Sequence, residues 1–179
     1  MANRVSFSTD TVDIGQFAFH HRDLIASLNS YFSGAAASSL PRFAGYTNTE
    51  LNHELVERIE EVERSSAMTL LSAIEAAFRI DFLQRCYLKK KDPVSRAFRN
   101  LHRKRKLKVA IDDDIFEIWK QNTIGASALI GELRGAFRYR HWLAHGRYWT
   151  PKLGRKYDYV SVYDLAESAL KSFPLLGLE

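Results

Sequence analysis

Arginine and histidine crowd one stretch of this sequence. The run Phe137-Arg138-Tyr139-Arg140-His141-Trp142-Leu143-Ala144-His145-Gly146-Arg147-Tyr148-Trp149 carries three arginines and two histidines among aromatic rings. Imidazole gives and takes a proton near neutral pH. Guanidinium holds a phosphate through two parallel hydrogen bonds and stabilises the charge that develops in phosphoryl transfer. Together they suit phosphodiester chemistry. An RNA substrate brings its own nucleophile, the 2′-hydroxyl, so such a reaction requires neither metal nor cofactor.

The spacing decides which of these groups can act together. His141 and His145 are four residues apart and share a helix face. Arg138 lies seven before His145, two turns along that face. Arg140 lies five before His145, well round the helix unless the last turn loosens at Gly146. Two other readings stand beside this one. Histidine at a helix end often serves the helix dipole, and Arg beside Trp often makes a cation–π contact. His-x-x-x-His is also half of a zinc site. The usual intervening Glu is absent, however, and a third ligand would have to come from a distant Asp or from His20 or His21.

Helices must position these groups. Apolar residues recur at helical spacing over 17–32, 50–88, 93–104, 112–121, 123–145 and 161–173. Asn48 or Thr49 is the expected cap of the longest, with Glu50, Glu54 and Glu57 near its positive end. Asp92 before Pro93 predicts another start, and Gly146 a stop. Residues 33–45, with Gly34, Pro41 and Gly45, read as linker. Tyr157-Asp158-Tyr159-Val160 is the one short strand candidate, and Val109–Ile111 could also begin extended. The expected fold is all-α: an up-and-down helical bundle over 49–179, with residues 1–48 as an N-terminal extension of one short helix plus linker.

Composition narrows the classes of function. The 179 residues carry a net charge of +5 with 46% hydrophobic side chains, enough for a packed core and a hint of an anionic partner. Eleven of the 26 basic residues fall between Arg85 and Lys108, where Asp92 is the sole acid. Arg96, Arg99, Arg103, Lys104 and Arg105 are therefore the candidates for RNA phosphate contact, although such runs are commonly just solvated faces. Glu50 to Glu63 forms an opposite, acidic stretch. The lone Cys86 permits no internal disulfide and no cysteine-rich zinc module, and it fits a reducing cytoplasm. Met1–Asp13 lacks the apolar run of a signal peptide, and Glu75, Arg79 and Asp81 interrupt the most apolar segment, so no membrane association is expected.

Arg140-His141-Trp142-Leu143-Ala144-His145 matches the Arg-x4–6-His signature of the HEPN superfamily, with a polar residue directly after the Arg. The wider run through Gly146-Arg147-Tyr148 resembles HEPN proteins of prokaryotic toxin and defence systems. Ala73-Ile74-Glu75-Ala76-Ala77-Phe78-Arg79 is similar to that family's first core helix. The resemblance covers about 50–175.

It implies a helical bundle with the motif at the end of a late helix, and a metal-independent endoribonuclease that dimerises to form a composite site. His145 would be general base or acid, Arg140 would bind the scissile phosphate, and His141 would orient the phosphate or the other histidine. Arg138 offers a competing register, Arg-x6-His. Glu75 is expected at a helix interface, either supporting the site or pairing with an Arg. The products would be a 2′,3′-cyclic phosphate and a 5′-hydroxyl. Family members paired with a nucleotidyltransferase antitoxin often carry Arg-x4-His-x-Tyr. Here the tyrosine is one place later, at Tyr148, which puts an antitoxin of that kind in doubt. An antitoxin or other defence partner of another kind stays open. A non-catalytic HEPN module that binds nucleic acid or protein is the alternative.

Overall fold

The computed structural model describes residues 5–7 and 13–177. Among these residues all regular structure is helical. The order is α1 (Ile14–Tyr31), α2 (Gly34–Ala37), a 3-10 turn (Pro41–Phe43), α3 (Asn48–Tyr87), α4 (Pro93–Arg105), a π-helical turn (Ile111–Ile115), α5 (Phe116–Asn122), α6 (Ala126–Ala144) and α7 (Tyr159–Ser172). No described helix is long and apolar enough to cross a membrane.

The spine is α3, 40 residues and so about 60 Å long. Thr47 caps it, not Asn48 or Thr49. The Thr47 side chain accepts the Glu50 N–H, and the Glu50 carboxylate accepts the Thr47 N–H at 2.7 Å. This reciprocal box needs an acid three residues after the cap, and only Thr47 has Glu50 at that distance. The second half of α3 buries Ala67, Leu70, Leu71, Ile74, Ala77, Phe78 and Phe82 on one stripe. Around it pack α1, α4, α6 and α7. Phe116 meets the Phe78 ring at 5.0 Å and Phe137 at 5.3 Å, which joins α5 and α6 to the spine. A smaller cluster of Phe32, Ala37, Phe43 and Leu51 seals the first half of α3.

A buried ionic knot fastens the far end of α3. Arg85 donates to Asp81 (2.7 Å), Asp92 (3.1 Å), Ser95 (3.3 Å) and the Pro174 carbonyl (2.6 Å). It also lies 5.0 Å over the fully buried Trp119 ring. Asp81 in turn accepts the Leu176 N–H at 3.0 Å. Arg85, counted by sequence within the basic stretch, is thus an internal residue. Cys86 beside it is buried too, and burial pushes its thiol up to about 11. A thiol so raised is a poor nucleophile at neutral pH.

Two expectations change. Tyr157–Val160 is not a strand: Asp158 caps α7 by accepting the Ser161 N–H at 2.9 Å, and Tyr159 is already helical. An isolated extended segment has no ladder partner here, whereas the cap satisfies the orphan helix N–H groups. The segment read as linker contains α2 and the 3-10 turn, whose Ala37 and Phe43 are buried.

Helix α1 lies against α3 and α7. Its one buried residue is His21, whose ring bonds Ser66 Oγ at 3.0 Å and stacks on Tyr159 with centroids 3.5 Å apart. Burial, helped by the neighbouring His20, holds its pKa below the ordinary histidine value. The neutral ring is therefore the one that docks. Its contribution is complete above about 6.5, the free histidine value, and is lost as pH falls through the lower folded value. Thermal melts at pH 7.5 and 5.5 should show an acid-side loss of stability that shrinks in His21→Phe. An equal loss in both proteins would assign the pH dependence to other groups.

Candidate active site

Helix α6 carries the cluster. Its inner stripe, Ile130, Leu133, Ala136 and Phe137, is buried. That orientation puts Arg134, Arg138, His141 and His145, spaced four, three and four residues, along one edge. The helix ends at Ala144, and the His145 N–H still reaches the His141 carbonyl at 3.1 Å. Gly146 then takes φ +78°, Arg147 takes φ +58°, and the Arg147 N–H bonds the Trp142 carbonyl at 3.2 Å. This left-handed exit turns the chain back over α6. The Trp142 indole N–H pins the returning segment by donating to the Trp149 carbonyl at 2.7 Å. Tyr157 packs on α6 as well, stacked on Tyr139 with centroids 5.5 Å apart. Gly135 lets it lie there, because a Cβ at that position would collide with Tyr157 Oη.

The result is a cleft of about 390 Å³ between α6, the 111–115 turn, the 149–153 segment and Glu75 of α3. Arg138, Arg140 and His141 all line it. His145 does not line it, but its ring lies 4.2 Å from the His141 ring and is exposed. The Trp149 ring lies 5.9 Å from His141 on another side. Tyr148 is 83% exposed, edge-on to Trp149, and outside the cleft.

The two arginines differ in freedom. Arg140 is half-buried, 3.0 Å from the Glu75 carboxylate, and donates to Ser72 at 3.3 Å. Glu75 also accepts from Arg79 at 2.7 Å, and Arg79 continues to the Val109 carbonyl at 3.1 Å. Glu75 therefore joins α3, α6 and the approach to the 111–115 turn. Arg138 is exposed and has no ion-pair partner among the described residues. The third arginine, Arg147, is bound to Glu61 at 2.6 Å, and this bond holds the Glu61 carboxyl below its usual range.

None of the residues expected to bind RNA on α4 lines the cleft. Arg96 and Lys104 are exposed. Arg103 bonds Asn100 at 2.8 Å, Arg99 donates to the Lys90 carbonyl, and Arg105 pairs with Asp114 at 2.9 Å. That last pair links the end of α4 to the turn that supplies Asp112 to the cleft. Asp112 was legible only as a helix start. Burial pushes its carboxyl above the ordinary range, with Arg134 chief among the opposing influences. Trp149 and Lys152 also line the cleft, brought there by the chain reversal. No sequence period relates Asp112 to the motif. Nor do three His, Cys, Asp or Glu side chains converge as a metal site among the described residues, and His21, one possible third ligand, is engaged with Ser66.

Glu75 is the carboxylate partner of two guanidinium groups, Arg79 and Arg140, whose further bonds go to neutral acceptors, the Val109 carbonyl and Ser72. Glu75→Ala should lower the unfolding free energy by about 1–3 kcal/mol, the cost of unpairing half-buried charged groups. Glu75→Gln should lose less. Urea unfolding of the three proteins measures this directly.

Comparison with protein-family models, with curated proteins and with solved structures gives no match.

Proposed function

We propose that the protein is a metal-independent endoribonuclease of the HEPN type, acting in the cytoplasm as a homodimer and serving as a toxin or phage-defence effector. One observation carries the reading: two imidazoles with centroids 4.2 Å apart share the open edge of one helix with Arg138, which has no ion-pair partner among the described residues. That is the equipment for moving two protons around a phosphate without a metal.

The chemistry follows from the groups. The 2′-oxygen attacks phosphorus and forms the new P–O2′ bond as the P–O5′ bond breaks. One imidazole takes the 2′-hydroxyl proton and another gives its proton to the departing O5′. Because His141 and His145 sit so close, a second copy of the motif across a dimer supplies the separation that a base and an acid on opposite sides of the phosphorus need. Arg138 is assigned the scissile phosphate. Arg140, with Glu75, is assigned a positioning role, because its guanidinium is already committed. Arg96, Arg103 and Lys104 of α4 are assigned to flanking phosphates, with Arg99 and Arg105 more tightly held within the protein. Tyr148, exposed at the rim, is assigned contact with RNA or a regulatory partner.

RNA digestion in EDTA tests this. Cleavage should persist with chelator and yield 2′,3′-cyclic phosphate ends. His145→Ala should slow it by roughly 100-fold or more. Arg138→Ala should reduce turnover while leaving stability unchanged, whereas Arg140→Ala should reduce both. Loss of cleavage in EDTA, or full activity in His145→Ala, would overturn the assignment. Binding of RNA without cleavage would favour the non-catalytic module instead.

A further inference from the structure

Lys152 lines the same cleft as Arg138 and His141, and the chemistry above does not employ it. The two cations come from different walls: Arg138 from α6, Lys152 from the segment that returns over it. Both are exposed, and neither has an ion-pair partner among the described residues. The Lys152 backbone is nonetheless held on both sides. Before it, the Trp149 carbonyl is pinned by Trp142 at 2.7 Å, and after it Leu153 packs against the main core. Pro151, directly before it, fixes one backbone torsion. A lysine so placed meets an anion without the segment first having to be ordered.

Arg138 by itself is a compromised receptor for an anion. On its other flank it borders a hollow lined by Asp112, Asp113 and Glu117. Burial pushes the Asp112 carboxyl up, and Arg134 and then Arg138 oppose that rise, so part of the Arg138 field is spent on an acid. Arg140 is committed to Glu75 at 3.0 Å. Lys152 does not border the acidic hollow. The cleft, about 390 Å³, is on the order of 9 Å across, so one phosphate between α6 and the returning segment lies within reach of both cations. Guanidinium offers that phosphate two parallel donors, and ammonium adds a compact point charge.

We propose that Lys152 is a second phosphate-binding residue of the cleft, and that it and Arg138 hold a single phosphodiester between the returning segment and α6. The inference deepens the ribonuclease reading and rests on it for the polymer to which the phosphate belongs. The ammonium touches a non-bridging oxygen, where charge grows as the 2′-oxygen adds to phosphorus, and takes no part in proton transfer.

Fluorescence anisotropy with a labelled oligodeoxythymidylate tests it, because a strand without 2′-hydroxyls is bound and not cut. Lys152→Ala should weaken binding by the full chain roughly tenfold, and Lys152→Glu should weaken it further. Lys152→Arg should restore it to within about threefold. Because both cations hold one phosphate, Lys152→Ala made in the Arg138→Ala protein should cost less than about threefold. Lys120→Ala removes an equally exposed charge from α5, outside the cleft, and should leave binding unchanged. Thermal melts establish that each variant is folded, and Lys152→Gln repeats the test if Lys152→Ala is not. Unchanged affinity in Lys152→Ala, an equal loss in Lys120→Ala, or independent losses at Arg138 and Lys152 overturns the shared site. The expected binding pattern in a protein that cleaves no RNA sustains the phosphate site and refutes the ribonuclease reading. RNA cleavage with binding that Lys152→Ala leaves unchanged does the reverse.

Discussion

The Arg85 guanidinium is the constraint on which the bundle turns. It is buried, and its donors reach α3, the cap of α4 and the C-terminal segment while its face covers the core of α5. A charge in that place is tolerable only with its partners complete. The ends of these elements must therefore converge on one point. That convergence fixes the far end of α3, and with it the platform on which α6 lies.

Glu75, ten residues earlier on the same helix, does for the cleft what Arg85 does for the core. It takes Arg79 on its own helix and Arg140 on α6. Arg79 extends the connection to Val109, just before the turn that presents Asp112. Two walls of the cleft, α6 and the approach to the 111–115 turn, are thus tied through a single carboxylate. Pairing Arg140 with Glu75 leaves Arg138 as the cleft arginine without an ion pair among the described residues. A preorganised scaffold with one uncommitted charge is a better binding site than two mobile arginines, because less side-chain entropy is lost when the ligand arrives.

Charge count alone is a poor guide to which cations act. The basic stretch from Arg85 to Lys108 contains a core residue, Arg85, two side chains engaged with backbone or acid, Arg99 and Arg105, and the exposed Arg96 and Lys104. The acidic first half of α3 is likewise partly consumed, with Glu54 facing Arg42 and Arg58, and Glu61 facing Arg147 and Arg64. Net charge reports the sum; pairing reports what is left for a partner.

Local physics made the helices legible from sequence. Apolar stripes at helical spacing marked α3 and α6, Asp92-Pro93 marked the start of α4, and Gly146 marked the exit that turns the chain over the histidines. The clustering of Arg138, Arg140, His141 and His145 was visible for the same reason: neighbours on one helix are neighbours in sequence. Capping at Thr47 was within reach, since the acid three residues on is printed in the chain. Tyr157–Val160 marks the limit, because a four-residue pattern carries no sign of whether a ladder partner exists. What tertiary structure alone decided is pairing across distance. Glu75 takes Arg140 rather than leaving it open, and Asp112 and Trp149 come to the same cleft from separate segments. Those contacts depend on how helices pack after they form, and no local propensity or spacing encodes which guanidinium a distant carboxylate will reach.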